Sequence, residues 1–295
     1  MTFNIVANRK IWYTFSALLL GSCLIFTAVL GFKFGIDFTG GSLLEVKFDE
    51  SVSTDQVRQA LESAGFTSVS LQETDAQSML LRTETIDETK HQELLTSLKS
   101  LAGAEELRFD SIGPVVGNEL RKTATVGVVL TLILIGLYVA WAFRKVSEPV
   151  ASWKYGTLTI LAALHDVIVA VGAYSVLGFF FGWEIGTAFV AAILTILGYS
   201  INDTVVIFDR ARENLTRHAG GTFEETVEMS IQQTLVRSIS TSTTTLLALT
   251  AVFLFGGEST RPFAMALIIG IATGTYSSIF FASPLLVTWH LRSKK

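Results

Sequence analysis

Gly198–Arg210 reads G-Y-S-I-N-D-T-V-V-I-F-D-R. The stretch closes a long apolar run, yet it sets Asn202 and Asp203 side by side inside that run. An ionisable group at the centre of a membrane-spanning helix costs about 2.5–3.5 kcal/mol on insertion scales, and such groups usually face the interior of a helix bundle. The reading of the fold therefore turns on how many similar runs the chain holds and what stands opposite Asp203 when they pack.

Half of the 295 residues are hydrophobic and 16% are charged. A soluble domain is nearer a quarter charged. The depletion is uneven: residues 33–121 are rich in Glu, Asp, Lys and Arg, and the rest is mostly apolar runs. Six runs lie near 11–32, 122–143, 156–180, 184–208, 238–256 and 263–290, each close to the length that crosses a bilayer as a helix. The single cysteine, Cys23, lies inside the first run, so a disulfide framework and a thiolate metal cluster are both excluded. L-G-S-C at Leu20–Cys23 loosely resembles a lipoprotein cleavage site, but the run continues to Phe32 and reads as a retained anchor. The net charge of −4 argues against a nucleic-acid partner.

Orientation follows from Lys and Arg in the short loops. Arg9 and Lys10 precede the first run; Arg144, Lys145 and Lys154 follow the second; Arg210, Arg212, Arg217 and Arg237 follow the fourth; Arg292, Lys294 and Lys295 close the chain. The opposite loops carry no positive charge at 179–184 and only Arg261 at 256–262. This bias predicts a cytoplasmic N-terminus (1–10), cytoplasmic loops (144–155 and 209–237) and a cytoplasmic tail (291–295), with 33–121 on the outer side of a multi-pass cell-membrane protein. T-F-E-E-T-V-E-M (222–229) reads as a short amphipathic connector near the membrane surface.

Within 33–121, alternation predicts strands at 43–48, 68–73, 78–83 and 105–112, with a turn around Asp75. Ser53 and Gln56 have capping-box spacing and start a helix to about Ala64; a second helix runs from Asp87 to Leu101. The order βαββαβ is that of a ferredoxin-like split unit, a fold that hosts many functions. It reads as a contact surface, with His91 as a solvated helix residue. Gly40 and Gly41 suit a turn where the chain enters the sheet, and Asp37 beside them either attracts protons or caps a turn.

Three apolar runs carry polar groups. The third has His165 and Asp166 mid-run, and these read equally as relay members or as a packing pair. The fourth has Ser200, Asn202, Asp203 and Thr204. The fifth opens R-S-I-S-T-S-T-T-T, with Arg237, Thr241, Thr244 and Thr245 on one face. The fourth and fifth runs are antiparallel neighbours in sequence, so Asp203 and Arg237 can meet. An arginine favours the ionised carboxylate and desolvation the neutral one. Separating and rejoining the pair would therefore load and release a proton; a static structural ion pair is the other reading. Asp209 and Arg210 read as interface residues. Glycine pairs at 270–274 and 182–186 permit close helix approach. The chain has no G-x-x-x-x-G-K-[ST], H-E-x-x-H or G-x-S-x-G, so enzymatic turnover and a bound cofactor are not expected.

Several motifs carry a resemblance. F-G-I-D-F-T-G-G-S-L-L-E-V (34–46), S-I-G-P-V-V-G-N-E-L (111–120), A-L-H-D (163–166), G-Y-S-I-N-D-T-V-V-I-F-D-R-A-R-E-N (198–214), Q-T-L-V-R-S-I-S-T-S-T-T-T-L-L-A-L (233–249) and G-T-Y-S-S-I-F-F-A (274–282) resemble, in order and over nearly the whole chain, the SecF branch of the SecD/SecF family. The resemblance implies a six-helix half-bundle like that of the RND exporters, a SecD partner in a heterodimer, and association with the SecYEG channel. It also implies indirect cooperation with SecA and use of the proton gradient to promote preprotein export. It places the implicated aspartate and arginine on Asp203 and Arg237. By their own polar positions in the apolar runs, Asn202, Thr241, Thr244, Asp166 and His165 are further relay candidates. Half of a small-molecule exporter and a non-conducting scaffold remain the alternatives.

Overall fold

Hydrocarbon offers no partner to backbone N–H and C=O groups, so a chain crossing it folds as helices that satisfy them internally. The computed structural model describes residues 4–75, 77–144, 150–217, 220–257 and 259–293. Lys145, Lys294 and Lys295, used above for orientation, lie outside them, as does residue 76 of the turn expected around Asp75. In chain order the elements are α1 (Arg9–Leu30), α2 (Ile36–Thr39), β1 (Gly41–Phe48), α3 (Thr54–Ser63), β2 (Ser70–Asp75), β3 (Ser78–Thr83), α4 (Glu88–Ala102) and β4 (Ala104–Ile112). Then follow α5 (Pro114–Ala142), α6 (Ser152–Phe181), α7 (Thr187–Thr216), α8 (Phe223–Phe255) and α9 (Arg261–Tyr276). A π-helical turn (Ser277–Ala282) joins α9 to α10 (Ser283–Ser293).

Among the described residues six helices are long and apolar enough to cross a membrane: α1, α5, α6, α7, α8 and the continuous Arg261–Ser293. Several begin well outside their apolar runs. α5 starts at Pro114, which suits a first helical position because it lacks the N–H that would go unsatisfied there. α8 starts at Phe223, where Thr222 and Glu225 form a capping box. The stretch 222–229, expected as a separate surface connector, is therefore the opening of α8, and its Val227 is fully buried. In this helical unit α1 packs on α6, α8 on α9, and α6 on α9. Its apolar core gathers Val139, Phe143, Tyr155, Leu158, Ile207, Phe208, Ile231 and Leu286, among others.

The second unit comprises 33–125 and 184–187. Its four antiparallel strands lie in the order β2-β3-β1-β4. Alternation sends Leu44, Val46 and Phe48 of β1 and Met79 and Leu81 of β3 to one face, against Val57 and Leu61 of α3 and Leu94, Leu95 and Leu98 of α4. Ser53 and Gln56 form the capping box that opens α3. His91, expected in solvent, is only 4% exposed. Its ring stacks on Phe109 of β4 at 3.7 Å, between the carboxylates of Glu88 and Glu106. Gly40 and Gly41 take φ of 74° and 131°, and a Cβ on Gly40 would meet the Pro114 backbone at 2.7 Å. A side chain is barred there by conformation and by space.

Residues 184–187 are folded into this unit. The Ile185 N–H donates to the Lys33 carbonyl at 2.7 Å, and the Gly35 N–H donates to the Ile185 carbonyl at 3.0 Å. Asp37 Oδ2 accepts from the Thr187 N–H at 2.6 Å and from its hydroxyl at 2.7 Å, so Asp37 caps the first turn of α7. Arg82 Nε lies 2.8 Å from Glu184 Oε1. Burial holds the Glu184 carboxyl above the ordinary glutamate range, against the pull of Arg82. The folded chain thus binds this proton more tightly than the unfolded one. The contribution of Glu184 to stability falls as pH rises from the ordinary glutamate value through the raised one. Thermal unfolding followed against pH should show that slope flattened in Glu184→Gln; an unchanged slope contradicts the assignment. Arg82→Ala leaves the carboxylate without its cation and should cost about 1–3 kcal/mol near neutral pH.

Candidate functional site

Two buried acids of the spanning helices, Asp166 and Asp203, each gather a cluster of polar groups. The first centres on Asp166 of α6. Asp166 and His165 are 0% and 1% exposed. Asp166 Oδ1 lies 3.0 Å from His165 Nδ1. Its Oδ2 accepts from the Ser200 hydroxyl of α7 at 2.5 Å and from the Ser277 hydroxyl at 2.8 Å. Ser278 shares a 2.7 Å hydrogen bond with Thr204 of α7 and donates to the Ser200 carbonyl at 3.2 Å. Three helices therefore close on one carboxylate. Ser277 and Ser278 open the π-helical turn, a rare form that recurs at functional sites. One carbonyl in that turn, that of Ser278, accepts from the Ser283 hydroxyl at 2.7 Å.

Close approach of α7 and α9 makes this possible. Gly270 faces Ile196, and Gly274 faces Ser200, where an added Cβ would lie 2.9 Å from the serine Cβ. Small residues four apart let two helix backbones near each other in a membrane.

The second cluster surrounds Asp203 of α7, which is 4% exposed. Its carboxyl lies among the hydroxyls of Ser238 and Ser242 of α8 and Thr275 of α9. Ser242 and Thr275 bond each other at 2.5 Å, while Asp203 Oδ2 and Ser238 Oγ are buried without a hydrogen-bond partner among the described residues. No direct ion pair joins Arg237 to Asp203 among the described residues and Arg237 is exposed, yet its charge is near enough to act on the Asp203 carboxyl. Asn202, Thr241 and Thr244 are exposed too. Thr241 and Thr244 turn their hydroxyls back onto the carbonyls of Arg237 and Thr241, each at 2.9 Å. The α8 face that meets Asp203 is thus the one bearing Ser238 and Ser242, next to the stripe picked out from the sequence. No group of three or more His, Cys, Asp or Glu among the described residues is placed to hold a metal ion.

The family described as "Protein export membrane protein SecD/SecF, C-terminal" matches residues 91–292, and "SecD/SecF GG Motif" matches 25–52. The chain belongs to the SecD/SecF family. It is 43% identical to the protein translocase subunit SecF of Thermobaculum terrenum, over 97% of this chain and 93% of that relative. It is 39% identical to the protein translocase subunit SecDF of Thermus thermophilus, over 99% of this chain and 39% of that relative. The crystal structure of SecDF, a translocon-associated membrane protein from Thermus, superposes with a TM-score of 0.86 at 35% identity, over 98% of this chain and 39% of that one. The chain thus spans 39% of the length of these SecDF chains. In SecD/SecF terms, the GG motif contains the Gly40–Gly41 turn and the C-terminal family region contains both acid clusters.

The glycine at 274 generates a prediction. Gly274→Val places a branched side chain against Ser200, parts α7 from α9 and should destabilise the helical unit by about 1–3 kcal/mol. Thermal unfolding in detergent checks this; a variant as stable as the parent means the helices do not touch as described.

Proposed function

We propose that this chain is the SecF-type accessory subunit of the Sec protein translocase. With a SecD partner it uses the proton gradient to promote preprotein export at the outer side of SecYEG, after SecA has acted from within. The family membership supports the translocase role. The strand order β2-β3-β1-β4 with helices on one face supports a ferredoxin-like reading of the 33–125 domain. The six spans support an RND-like half-bundle with both termini in the cytoplasm.

The observation that carries proton coupling is the state of Asp203. It is buried, its Oδ2 has no hydrogen-bond partner among the described residues, and Arg237, one residue before the Ser238 beside its carboxyl, is exposed. An ionised carboxylate without a cation is costly in low dielectric, whereas one beside a guanidinium is favoured. Movement of Arg237 toward and away from Asp203 therefore exchanges a proton. Asn202, Thr241 and Thr244 are exposed on this chain, and in this reading the SecD half covers them.

Asp203→Asn should assemble with SecD yet lose gradient-dependent stimulation of export in vesicles. Full stimulation by that variant selects the scaffold reading instead. A spin label on Thr244→Cys should lose mobility at least several-fold when SecD joins the lone subunit. Equal mobility in both states removes this face from the subunit contact.

A further inference from the structure

The Asp203 exchange leaves the Asp166 cluster without a task, although it is the more completely enclosed acid of the two. We propose that His165 and Asp166 form a second, separate proton-binding centre inside this subunit, entered at His165 Nε2. The inference rests on the proton-coupled reading above and adds a site to it.

Oδ2 of Asp166 already accepts two hydroxyl hydrogens, from Ser200 and Ser277. Its other oxygen, Oδ1, is the one facing His165 Nδ1 at 3.0 Å. In the unloaded state of this centre the carboxylate is ionised and accepts only, so the ring then carries its hydrogen on Nδ1 and a lone pair on Nε2. That Nε2 is buried and has no hydrogen-bond partner among the described residues. A basic nitrogen enclosed in an apolar bundle without a partner costs stability, and a proton-accepting role gives it a use.

The transfer balances. A proton from solvent bonds to Nε2; the Nδ1–H bond breaks and that proton passes to Asp166 Oδ1. The ring ends neutral as the other tautomer and the acid ends neutral. The 3.0 Å contact persists with its donor reversed, Oδ1–H now donating to Nδ1. The two serines hold the carboxyl plane throughout, which keeps Oδ1 in line with the ring. No movement of Arg237 is needed, so loading this centre does not require the Asp203 exchange.

The groups facing the dyad come from each neighbouring element. The ring of Tyr276 lies 6.1 Å and that of Phe281 5.1 Å from the His165 ring. The Tyr276 hydroxyl is engaged by Ser16 of α1. α1 also contributes Cys23, whose thiol faces the Val169 carbonyl. α7 presents Ser200 and Thr204, and its acid, Asp203, lies among α8 and α9 hydroxyls. Among the described residues no lysine or arginine is ion-paired to Asp166.

Nitrogen NMR reads the tautomer directly, and the chain has only four histidines. The intact subunit with SecD, labelled at histidine nitrogens, is placed in vesicles and titrated from alkaline to acidic pH. The expected result is that one histidine passes from the Nδ1–H to the Nε2–H form. The passage should persist in Asp203→Asn and vanish in Asp166→Asn. A His165 signal holding one tautomer throughout, or passing unchanged in Asp166→Asn, overturns the proposal. Should Asp166→Asn fail to fold, Ser277→Ala serves: one lost hydroxyl donor should displace the midpoint by about tenfold in proton concentration, and an unmoved midpoint overturns the proposal equally. The two readings fail separately. If Asp203→Asn keeps full gradient stimulation while the tautomer passage is seen, the coupling reading falls and this centre stands. If stimulation is lost but no passage occurs, this centre falls alone.

Discussion

A carboxylate enclosed by three helices must draw its hydrogen bonds from them, because an unpaired charge in low dielectric costs several kcal/mol. Asp166 takes donors from Ser200 of α7 and from Ser277 beyond α9, and shares a hydrogen bond with its own neighbour His165. Each donor fixes a register. Ser200 must stand level with Asp166 on the facing helix, and Ser277 must stand level with both. Gly274 lets α9 come close enough for this, and Gly270 repeats the approach one turn away, against Ile196. Apolar packing alone would tolerate sliding by a fraction of a turn. The hydrogen bonds do not, since a shift of one residue would turn each hydroxyl to another face.

The π-helical turn follows from the same demand. Thr275 bonds Ser242 on the α8 side, while Ser277 and Ser278 serve Asp166 and Thr204 on the other. Residues two apart on a helix look in different directions, so the segment 275–278 supplies hydroxyls to both acid clusters. Widening the turn at Ser277 disturbs the backbone ladder, and a nearby hydroxyl, that of Ser283, takes up the Ser278 carbonyl. The irregularity thus sits where two polar clusters compete for one helix.

Much of this could be read from the residues, for definable reasons. Spans announce themselves by length and composition, and Asp203 and Asp166 by being charged where charge is costly. Helix ends were less visible, because Pro114 and the Thr222–Glu225 box carry α5 and α8 past the apolar runs. Which α8 face meets Asp203 is hidden for a different reason. The run R-S-I-S-T-S-T-T-T offers hydroxyls on every face, and periodicity cannot say which face meets a neighbour. Only the fold selects Ser238 and Ser242. Ser277 stood out only as part of the 274–282 motif and not as a partner of Asp166, since a serine in an apolar run costs little and its partner is 111 residues away. His91 is buried by Phe109, a strand residue beyond the end of its own helix, so its helix alone could not reveal it.

The two acids differ in what completes them. Asp166 finds its donors within this chain and needs nothing from outside. Asp203 does not: Oδ2 lacks a partner among the described residues, and Arg237, the cation assigned to it, stands exposed at the start of the apolar part of α8. A guanidinium left facing hydrocarbon is unfavourable by a few kcal/mol, so its resting place depends on what covers that surface. In the proposed assembly the SecD half covers it. The position of Arg237, and with it the charge state of Asp203, is then decided at the boundary between subunits. Any shift of one half against the other must change the proton balance there, and any change in that balance must push on the boundary. Reciprocity of this kind is a thermodynamic requirement once the two equilibria share a group. In that proposed assembly, energy conversion sits at the subunit contact.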